Sequence, residues 1–306
     1  MTRPITCAAA ALALAAVAVL PSQAASAAGR DGRIAYSIGA ILPNPDPEAP
    51  SQVYTVNPDG SDVRQLTHVA LPLQAGDPAF SPDGRQLLFV RNSAAGPFQV
   101  WIMRSDGSGQ RKLLDDPGHD AFLPRWSPDG SHFLFSRCSF VFGFLECAIF
   151  RASINGTNLH AYTGGHNVDF SADYASDGSY IAFDSNRNNA QSAIWRTTGA
   201  GPRRITAPFT EAFWPDVSPN GTRILFTDNF DRPDSRQHSM HVDGTDDRTL
   251  AAGCFGRWAP SGTRIVYDGG LNCDKGLTIA DADGTHAHTV VAVTDQLVLS
   301  DWGPTS

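Results

Sequence analysis

Short apolar runs alternate with turn residues along most of the chain. Runs such as "QLLFV" (86–90) and "RILFT" (223–227) contain aromatic or β-branched residues and are bounded by Gly, Pro, Asn or Asp. Such runs are typical of β-strands. After residue 29 no stretch of useful length shows the 3.6-residue apolar period of an amphipathic helix. The pattern therefore predicts an all-β fold.

Two series of turn dipeptides alternate strictly along the chain and define a repeat. The first series is Asp31-Gly32, Asp83-Gly84, Asp129-Gly130, Asp177-Gly178, Asn220-Gly221 and Ser261-Gly262, and the second is Asp59-Gly60, Asp106-Gly107, Asn155-Gly156, Ala200-Gly201, Asp243-Gly244 and Asp283-Gly284. Asp-Gly and Asn-Gly favour type I′ hairpin turns, in which both central residues have positive φ. We therefore expect two tight hairpins of this type in each repeat.

Each repeat accommodates four strands, A to D, with tight turns between A and B and between C and D. Stacking such units in a ring buries both faces of every sheet, so the sequence predicts a six-bladed β-propeller of four-stranded antiparallel blades over residues 29–306. The chain finishes with "DWGPTS" (301–306), an A strand without a B strand after it. We expect this C-terminal strand to close the first blade and remove exposed sheet edges at the seam.

The first 28 residues have the features of a secretory signal peptide. Arg3 precedes an apolar run at 5–20, and small residues follow it. The run is short for a membrane span, which needs about 20 residues, although an uncleaved anchor is the alternative. Cleavage near residue 28 would leave a single domain at 29–306, without a membrane span, in the periplasm or outside the cell.

The net charge limits the classes of partner, and the cysteines predict disulfide bonds. The formal net charge is −8 and no long Lys/Arg run exists, so nucleic acid is not expected as a partner. Four cysteines follow the signal peptide, and three pairings are possible. Cys138 and Cys147 bracket one B–C loop, while Cys254 opens an A strand and Cys273 follows the next B strand, so we expect disulfides 138–147 and 254–273.

The repeats resemble those of a known family. "RWSPDGSHFLFSR" (125–137) and "ASDGSYIAFDSNRNNAQSAIWRT" (175–197) are similar to the WD40-like β-propeller repeat of the TolB-type family, and the similarity extends over residues 29–306. The same repeat forms the lid propeller of prolyl-oligopeptidase-like enzymes. The resemblance implies an exported propeller that binds other molecules. We expect no counterpart of the α/β domain that precedes the TolB propeller, and fold alone does not fix function.

Motifs for catalysis are missing from the sequence. There is no G-x-S-x-G elbow and no H-E-x-x-H pair, so we expect neither catalytic residues of these kinds nor a metal or cofactor. One position near the propeller axis carries a charge in five of six repeats: Arg125, Asp173, Asp216, Arg257 and Asp301, with Ala79 in the sixth. These charges either form ion pairs between inner strands or line a pocket for a small ligand, peptide or cation. Three carboxylates could also serve acid–base chemistry.

The B–C and D–A connections share the face of the disc that carries the longer loops. Phe140, Phe142 and Phe144 alternate in one of these loops, so they share one side of a hairpin arm. They form either a partner-binding patch or a satellite core over the blade edge. The sequence thus predicts a monomeric, non-catalytic TolB-like module that binds protein or cell-envelope ligands on this loop face. The alternative is a carbohydrate-active or other hydrolase or lyase that uses the channel carboxylates.

Overall fold

The computed structural model describes residues 29–38, 50–93, 96–141, 144–164, 167–187, 191–208, 210–230, 232–293 and 298–306. These residues form β-strands and no α-helix. Within the described ranges, no helical segment has the length and apolar character needed to cross a bilayer. The predicted signal peptide at 1–28 lies outside them.

The first four sheets each contain four antiparallel strands. Their members are, in spatial order, β23 (Val298–Pro304), β1 (Asp31–Ile38), β2 (Gln52–Val56) and β3 (Arg64–Gln65); β4 (Ala75–Phe80), β5 (Gln86–Ser93), β6 (Gly96–Arg104) and β7 (Arg111–Lys112); β8 (Asp120–Trp126), β9 (His132–Val141), β10 (Phe144–Ser153) and β11 (His160–Ala161); β12 (Asp169–Tyr174), β13 (Ile181–Ser185), β14 (Ala193–Arg196) and β15 (Arg203–Arg204).

The fifth sheet has seven strands because one long strand takes part in two pairings. Its order is β16 (Ala212–Val217), β17 (Arg223–Asp228), β18 (Arg236–His241), β19 (Arg248–Trp258), β20 (Arg264–Gly269), β21 (Leu277–Asp281) and β22 (His288–Val291). Residues 248–252 of β19 pair with β18, and residues 253–258 pair with β20. The whole is the β-propeller arrangement that the sequence predicts.

Apolar layers between successive sheets hold the propeller together. The second and third sheets share a core that includes Leu88, Val100 and Phe133, and equivalent cores fill the other interfaces. Because each sheet is covered on both faces, central strands such as β5 are buried along continuous runs instead of alternating with polar residues.

The C-terminal strand closes the ring, as expected from the sequence. β23 pairs antiparallel with β1, and Trp302 lies opposite Ile34. The Trp302 indole Nε1 donates a hydrogen bond of 3.1 Å to the Gly32 carbonyl, and the Arg264 guanidinium lies 4.7 Å from the centre of its ring. Val266 packs in the same cluster. The Trp302 indole therefore packs between the fifth sheet and the first sheet.

The tight turns differ from the expected type I′ geometry. Gly84 has positive φ, whereas Asp83 before it does not. The Gly84 N–H donates to the Ser81 carbonyl (2.8 Å), so Pro82 and Asp83 are the central residues of the turn. Pro82 restricts the first central φ to the value of a type I turn, and the glycine then adopts the left-handed conformation. The Asp83 carboxylate accepts a hydrogen bond of 3.1 Å from the Arg85 N–H, which fixes the turn locally.

One expected turn is absent. Asp31 and Gly32 begin β1 and pair with the C-terminal strand instead of forming a hairpin. The Asp31 carboxylate accepts hydrogen bonds from the Ser261 N–H (2.9 Å) and from Arg264 (2.8 Å). This dipeptide therefore contributes to closure of the ring.

Replacement of Trp302 by Ala tests the closure. The side chain is only 4% exposed, and loss of a buried Trp typically costs about 3–5 kcal/mol. We expect Trp302→Ala to lower the midpoint of thermal unfolding by about 6 °C or more, measured by circular dichroism on residues 29–306. Trp302→Phe, which keeps an aromatic ring, should lose less. An Ala variant that unfolds within about 2 °C of wild type would contradict this closure.

Candidate functional site

The innermost strand of each unit lies beside the propeller axis. These inner strands are β23, β4, β8, β12, β16 and residues 253–258 of β19. Their charged side chains interact across the axis: Arg125 of β8 is influenced by Asp173 of β12 and by Arg257 of β19. The inner strands therefore surround one common space.

A bulge interrupts five of the inner strands at equivalent positions. In each, the pairing register with the second strand shifts. The bulge residues have φ between 48° and 58°, and they are Asp77, Leu123, Ser171, Trp214 and Phe255. This conformation is unfavourable for bulky residues. A bulge changes the direction of the side chains that follow it, and the charged positions come two residues later.

Side chains of the preceding four-stranded unit stabilise four of these five bulges. The Leu123 N–H donates to the Asp77 carboxylate (2.9 Å), and the Trp214 N–H donates to Asp184 (3.1 Å). Hydroxyl groups play the same part for the other two bulges, at Ser136–Ser171 (3.2 Å) and Thr227–Phe255 (3.1 Å). The strained backbone is thus held by bonds between neighbouring units of the ring.

The structure brings all five predicted charged residues to the axis. Arg125, Asp216 and Arg257 are buried, whereas Asp173 and Asp301 are half-buried. Asp216 and Arg257 form an ion pair with 3.4 Å between their nearest atoms. Among the described residues this is the one ion pair between members of the set.

Each of the three carboxylates also accepts a hydrogen bond from the backbone of the next inner strand. Asp301 accepts from the Phe80 N–H (2.7 Å), Asp173 from Val217 (2.8 Å) and Asp216 from Trp258 (2.7 Å). In each case Oδ2 is the acceptor. The carboxylates therefore have fixed positions that do not depend on a ligand.

Arg125 is the exception among the charged residues. It is 7% exposed, and its side chain donates one hydrogen bond, from Nη1 to the Pro124 carbonyl (2.9 Å). It forms no ion pair with the described residues. Burial and the nearby Arg257 lower the pKa of Arg125, opposed by Asp301, Asp173 and Asp216. Its remaining N–H groups have no acceptor among the described residues.

A cavity of about 300 Å³ occupies the axis next to these charges. It is lined by Arg125, Asp173, Asp216 and Asp301, by Pro304 of the C-terminal strand, and by the ends of the A–B turns, which supply Ser81, Pro82, Ser127, Pro128, Ser176, Pro219 and Pro260. We call it the axial pocket. It opens on the face of the tight turns, opposite the longer loops where the sequence analysis placed partner binding.

The other end of the axis is apolar. Leu123, Trp214, Phe255 and Leu299 pack together there with the Cys254–Cys273 disulfide. The Trp214 and Phe255 rings meet edge to face with centres 4.3 Å apart. The inner strands therefore divide the axis into a polar half and an apolar half.

The six inner-strand residues at this end of the axis, four of them apolar and two polar, were not predicted from the sequence as site residues. Asp77, Leu123, Ser171, Trp214, Phe255 and Leu299 each lie two positions before the axial residue of their strand. The repeat spacing that identifies the axial position identifies these residues as well. Burial raises the pKa of Asp77 to about 6, with the Leu123 hydrogen bond and Arg125 opposing the shift.

The Phe140 to Phe144 loop is described in part. Phe142 and the side chains of Phe140 and Phe144 lie outside the described residues. The backbone forms a long hairpin in which Phe140 pairs with Leu145, and the Leu145 side chain is exposed. Cys138 and Cys147 face each other across the hairpin and are bonded, with 4.2 Å between their Cα atoms.

No group of three His, Cys, Asp or Glu side chains that could hold a metal ion occurs in the described part of the chain. The acidic groups of the axial pocket are dispersed over several sheets.

No family model matches the chain. An uncharacterized protein of Agrobacterium fabrum is 28% identical over 208 residues, which cover 62% of this chain and 68% of that protein. The uncharacterized peptidase YuxL of Bacillus subtilis is 43% identical over 58 residues, 19% of this chain and 9% of the peptidase. The match thus spans a small part of the peptidase.

Solved structures share the fold at low sequence identity. TolB from Acinetobacter baumannii has a TM-score of 0.71 and 20% identity, over 90% of this chain and 67% of that chain. A puromycin-hydrolyzing peptidase from Mycobacterium tuberculosis gives 0.55 and 15%, over 84% and 45%. An oligogalacturonate lyase in complex with manganese gives 0.53 and 14%, over 79% and 71%. The resemblance to TolB-type propellers is confirmed at the level of the fold.

The pH dependence of stability tests the electrostatics of the axial pocket. Burial and the nearby Asp173 raise the pKa of Asp216 from 3.8 to about 7, although Arg257 opposes the shift. The folded protein therefore keeps a proton that the unfolded chain has lost, and this group costs stability as the pH rises from about 4 to about 7. Asp216→Asn imitates the protonated form at every pH.

We expect the melting temperature of Asp216→Asn, relative to wild type, to increase by at least about 2 °C between pH 4.5 and pH 8. Differential scanning calorimetry in both buffers measures the change. The exposed Asp234→Asn variant is the control for loss of one carboxylate. A difference between Asp216→Asn and wild type that is equal at the two pH values would show that the pKa is not raised.

Proposed function

We propose that the chain is an exported, TolB-like propeller of six blades that acts as a non-catalytic binding module for protein or cell-envelope ligands. The blade number follows if β16–β22 counts as two blades that share β19. Two disulfides support an extracytoplasmic location, consistent with a signal peptide at 1–28. We propose that the mature protein comprises residues 29–306 and is a monomer.

The observation that carries this proposal is the built axial pocket with an unpartnered guanidinium in its wall. Carboxylates at the axis are fixed by backbone hydrogen bonds, and Arg125 lacks an acceptor for most of its N–H groups. Preorganised polar groups in a concave site are typical of ligand recognition. The free N–H groups of Arg125 border the axial pocket, where a ligand oxygen could accept them.

The loop face is proposed as a second contact region for a protein partner. The 138–147 hairpin projects there with Leu145 exposed, and the disulfide between its two strands limits its movement. Phe140, Phe142 and Phe144 belong to the same segment. Partner binding at this face and ligand binding in the axial pocket can be separated by mutation.

Affinity capture from the envelope extract of the source organism tests the binding role. Immobilised residues 29–306 should retain specific material, and Arg125→Gln should reduce its recovery by about tenfold, since a buried charged contact is worth about 1.5–3 kcal/mol. The exposed Arg111→Gln variant removes the same charge and should retain the material. Mass spectrometry and glycan analysis identify what is bound.

Two further results show which face of the propeller binds the retained material, or whether either face does. Loss of binding in Leu145→Ser alone would place the contact on the loop face instead of in the axial pocket. Absence of any material that depends on either site would overturn the binding role.

A hydrolase or lyase activity is the second candidate function. One observation favours it: burial raises the pKa of Asp216 to about 7, and a carboxyl group that titrates near neutrality suits general acid–base catalysis. The fold is shared with an oligogalacturonate lyase. We would incubate the mature protein with uronate oligosaccharides and follow product formation. Turnover that disappears in Asp216→Asn, but persists in Asp234→Asn, would establish an enzyme.

A further inference from the structure

The chemistry of the axial pocket indicates its ligand more closely, and the inference rests on the binding role proposed above. The axial residues supply two guanidinium groups and three carboxylates. Asp216 and Arg257 are paired with each other, with 3.4 Å between their nearest atoms. The groups left to a ligand are therefore Arg125, Asp173 and Asp301.

Arg125 can donate hydrogen bonds to an oxygen of the ligand. Its side chain is more than nine-tenths buried, lines the pocket, and has a single hydrogen bond, to the Pro124 carbonyl. A guanidinium presents five donors in a planar fork that suits a carboxylate or a carbonyl oxygen. No described side chain supplies that acceptor.

Asp173 and Asp301 can accept hydrogen bonds from a cationic group of the ligand. Each uses Oδ2 to accept a backbone N–H, and Oδ1 of each has no hydrogen-bond partner among the described residues. Both side chains are half-exposed and line the pocket. A primary ammonium group has three donors and is compact, so it matches two free carboxylate oxygens.

The volume and the charges of the axial pocket limit the classes of ligand that it can bind. Ala79 stands where the other inner strands have charged residues, so one side of the pocket is left open for a ligand. A volume of about 300 Å³ is at the lower end for small-molecule sites. A dianion would face two carboxylates, and a simple cation would leave Arg125 without an acceptor. A group with both charges avoids each of these costs.

We propose that the axial pocket binds a primary ammonium group adjacent to an acyl oxygen, with Arg125 on the oxygen and Asp173 and Asp301 on the ammonium. A free α-amino acid and the N-terminal residue of a peptide share this chemistry. Phe80, Trp126 and the turn prolines around the pocket suit an apolar side chain.

Isothermal titration calorimetry on residues 29–306 tests the proposal with three probes: leucine, the tripeptide Leu-Gly-Gly and its N-acetyl derivative. We expect leucine or the free tripeptide to bind, and acetylation to weaken tripeptide binding by at least about tenfold, because it removes the ammonium group. Binding of leucine alone would assign a free amino acid, and binding of the tripeptide would assign a peptide terminus.

The variants separate the two halves of the site. Arg125→Gln removes the oxygen contact, and Asp173→Asn with Asp301→Asn removes the negative charge while an amide oxygen can still accept the backbone N–H. Each change should weaken binding by about tenfold or more. Arg111→Gln and Asp234→Asn, both exposed, should bind within about twofold of wild type. Melting temperatures verify that every variant is folded.

Three results would overturn the proposal: no binding of leucine or the free tripeptide at 10 mM, on the order of the weakest specific affinities; equal binding of the acetylated tripeptide; or tighter binding of inorganic phosphate. The binding role proposed above stands or falls separately. Envelope material that wild type retains and Arg125→Gln loses would support that role even if all three peptide probes failed.

Discussion

Side-chain caps on the inner strands are the interaction on which the propeller depends. The innermost strand of a blade has a free edge, and its N–H groups lie too deep for ready access to water, where an unpaired group is costly. Side chains of the preceding unit accept hydrogen bonds from these N–H groups. Asp301 caps Phe80, Asp77 caps Leu123, and Asp268 caps Val298 (2.8 Å) at the seam.

The caps also create the two halves of the axis. A bulge residue held at positive φ packs its side chain toward the loop face, as Trp214 and Phe255 do. Two residues later the same strand presents its axial residue to the turn face, as Asp216 does. The bulge sets the directions of both side chains, so the apolar cluster and the charged residues occupy opposite halves of the axis. The ligand site is therefore part of the structural framework of the ring.

Much of this could be predicted from the sequence, for physical reasons. Turn dipeptides and apolar runs recur with every blade, so strand order and ring closure by residues 301–306 follow from counting. The set of axial charges also follows from counting, since it occupies one position of the repeat. The turn type was predicted wrongly because the glycine N–H closes each turn, so that Gly84, for example, follows the two central residues and it alone has positive φ. Sequence pattern does not show which carboxylate oxygen binds a backbone N–H, so the unpartnered Arg125 could emerge only from coordinates.

The repeat itself separates structural from functional demands. At the turn, glycine recurs because the conformation there has positive φ. Trp126, Trp258 and Trp302 recur because they fill equivalent interfaces. The axial position obeys no such rule, and it carries Ala, Arg or Asp in different blades. Packing alone would accept one residue type throughout a ring of equivalent strands. A carboxylate needs only one oxygen to cap its neighbour, so the second oxygen is available for recognition, and an arginine caps nothing. Different residue types at this one position therefore make the pocket asymmetric in an otherwise repetitive ring. One side of the pocket is acidic and the other is basic, and both face the same small volume.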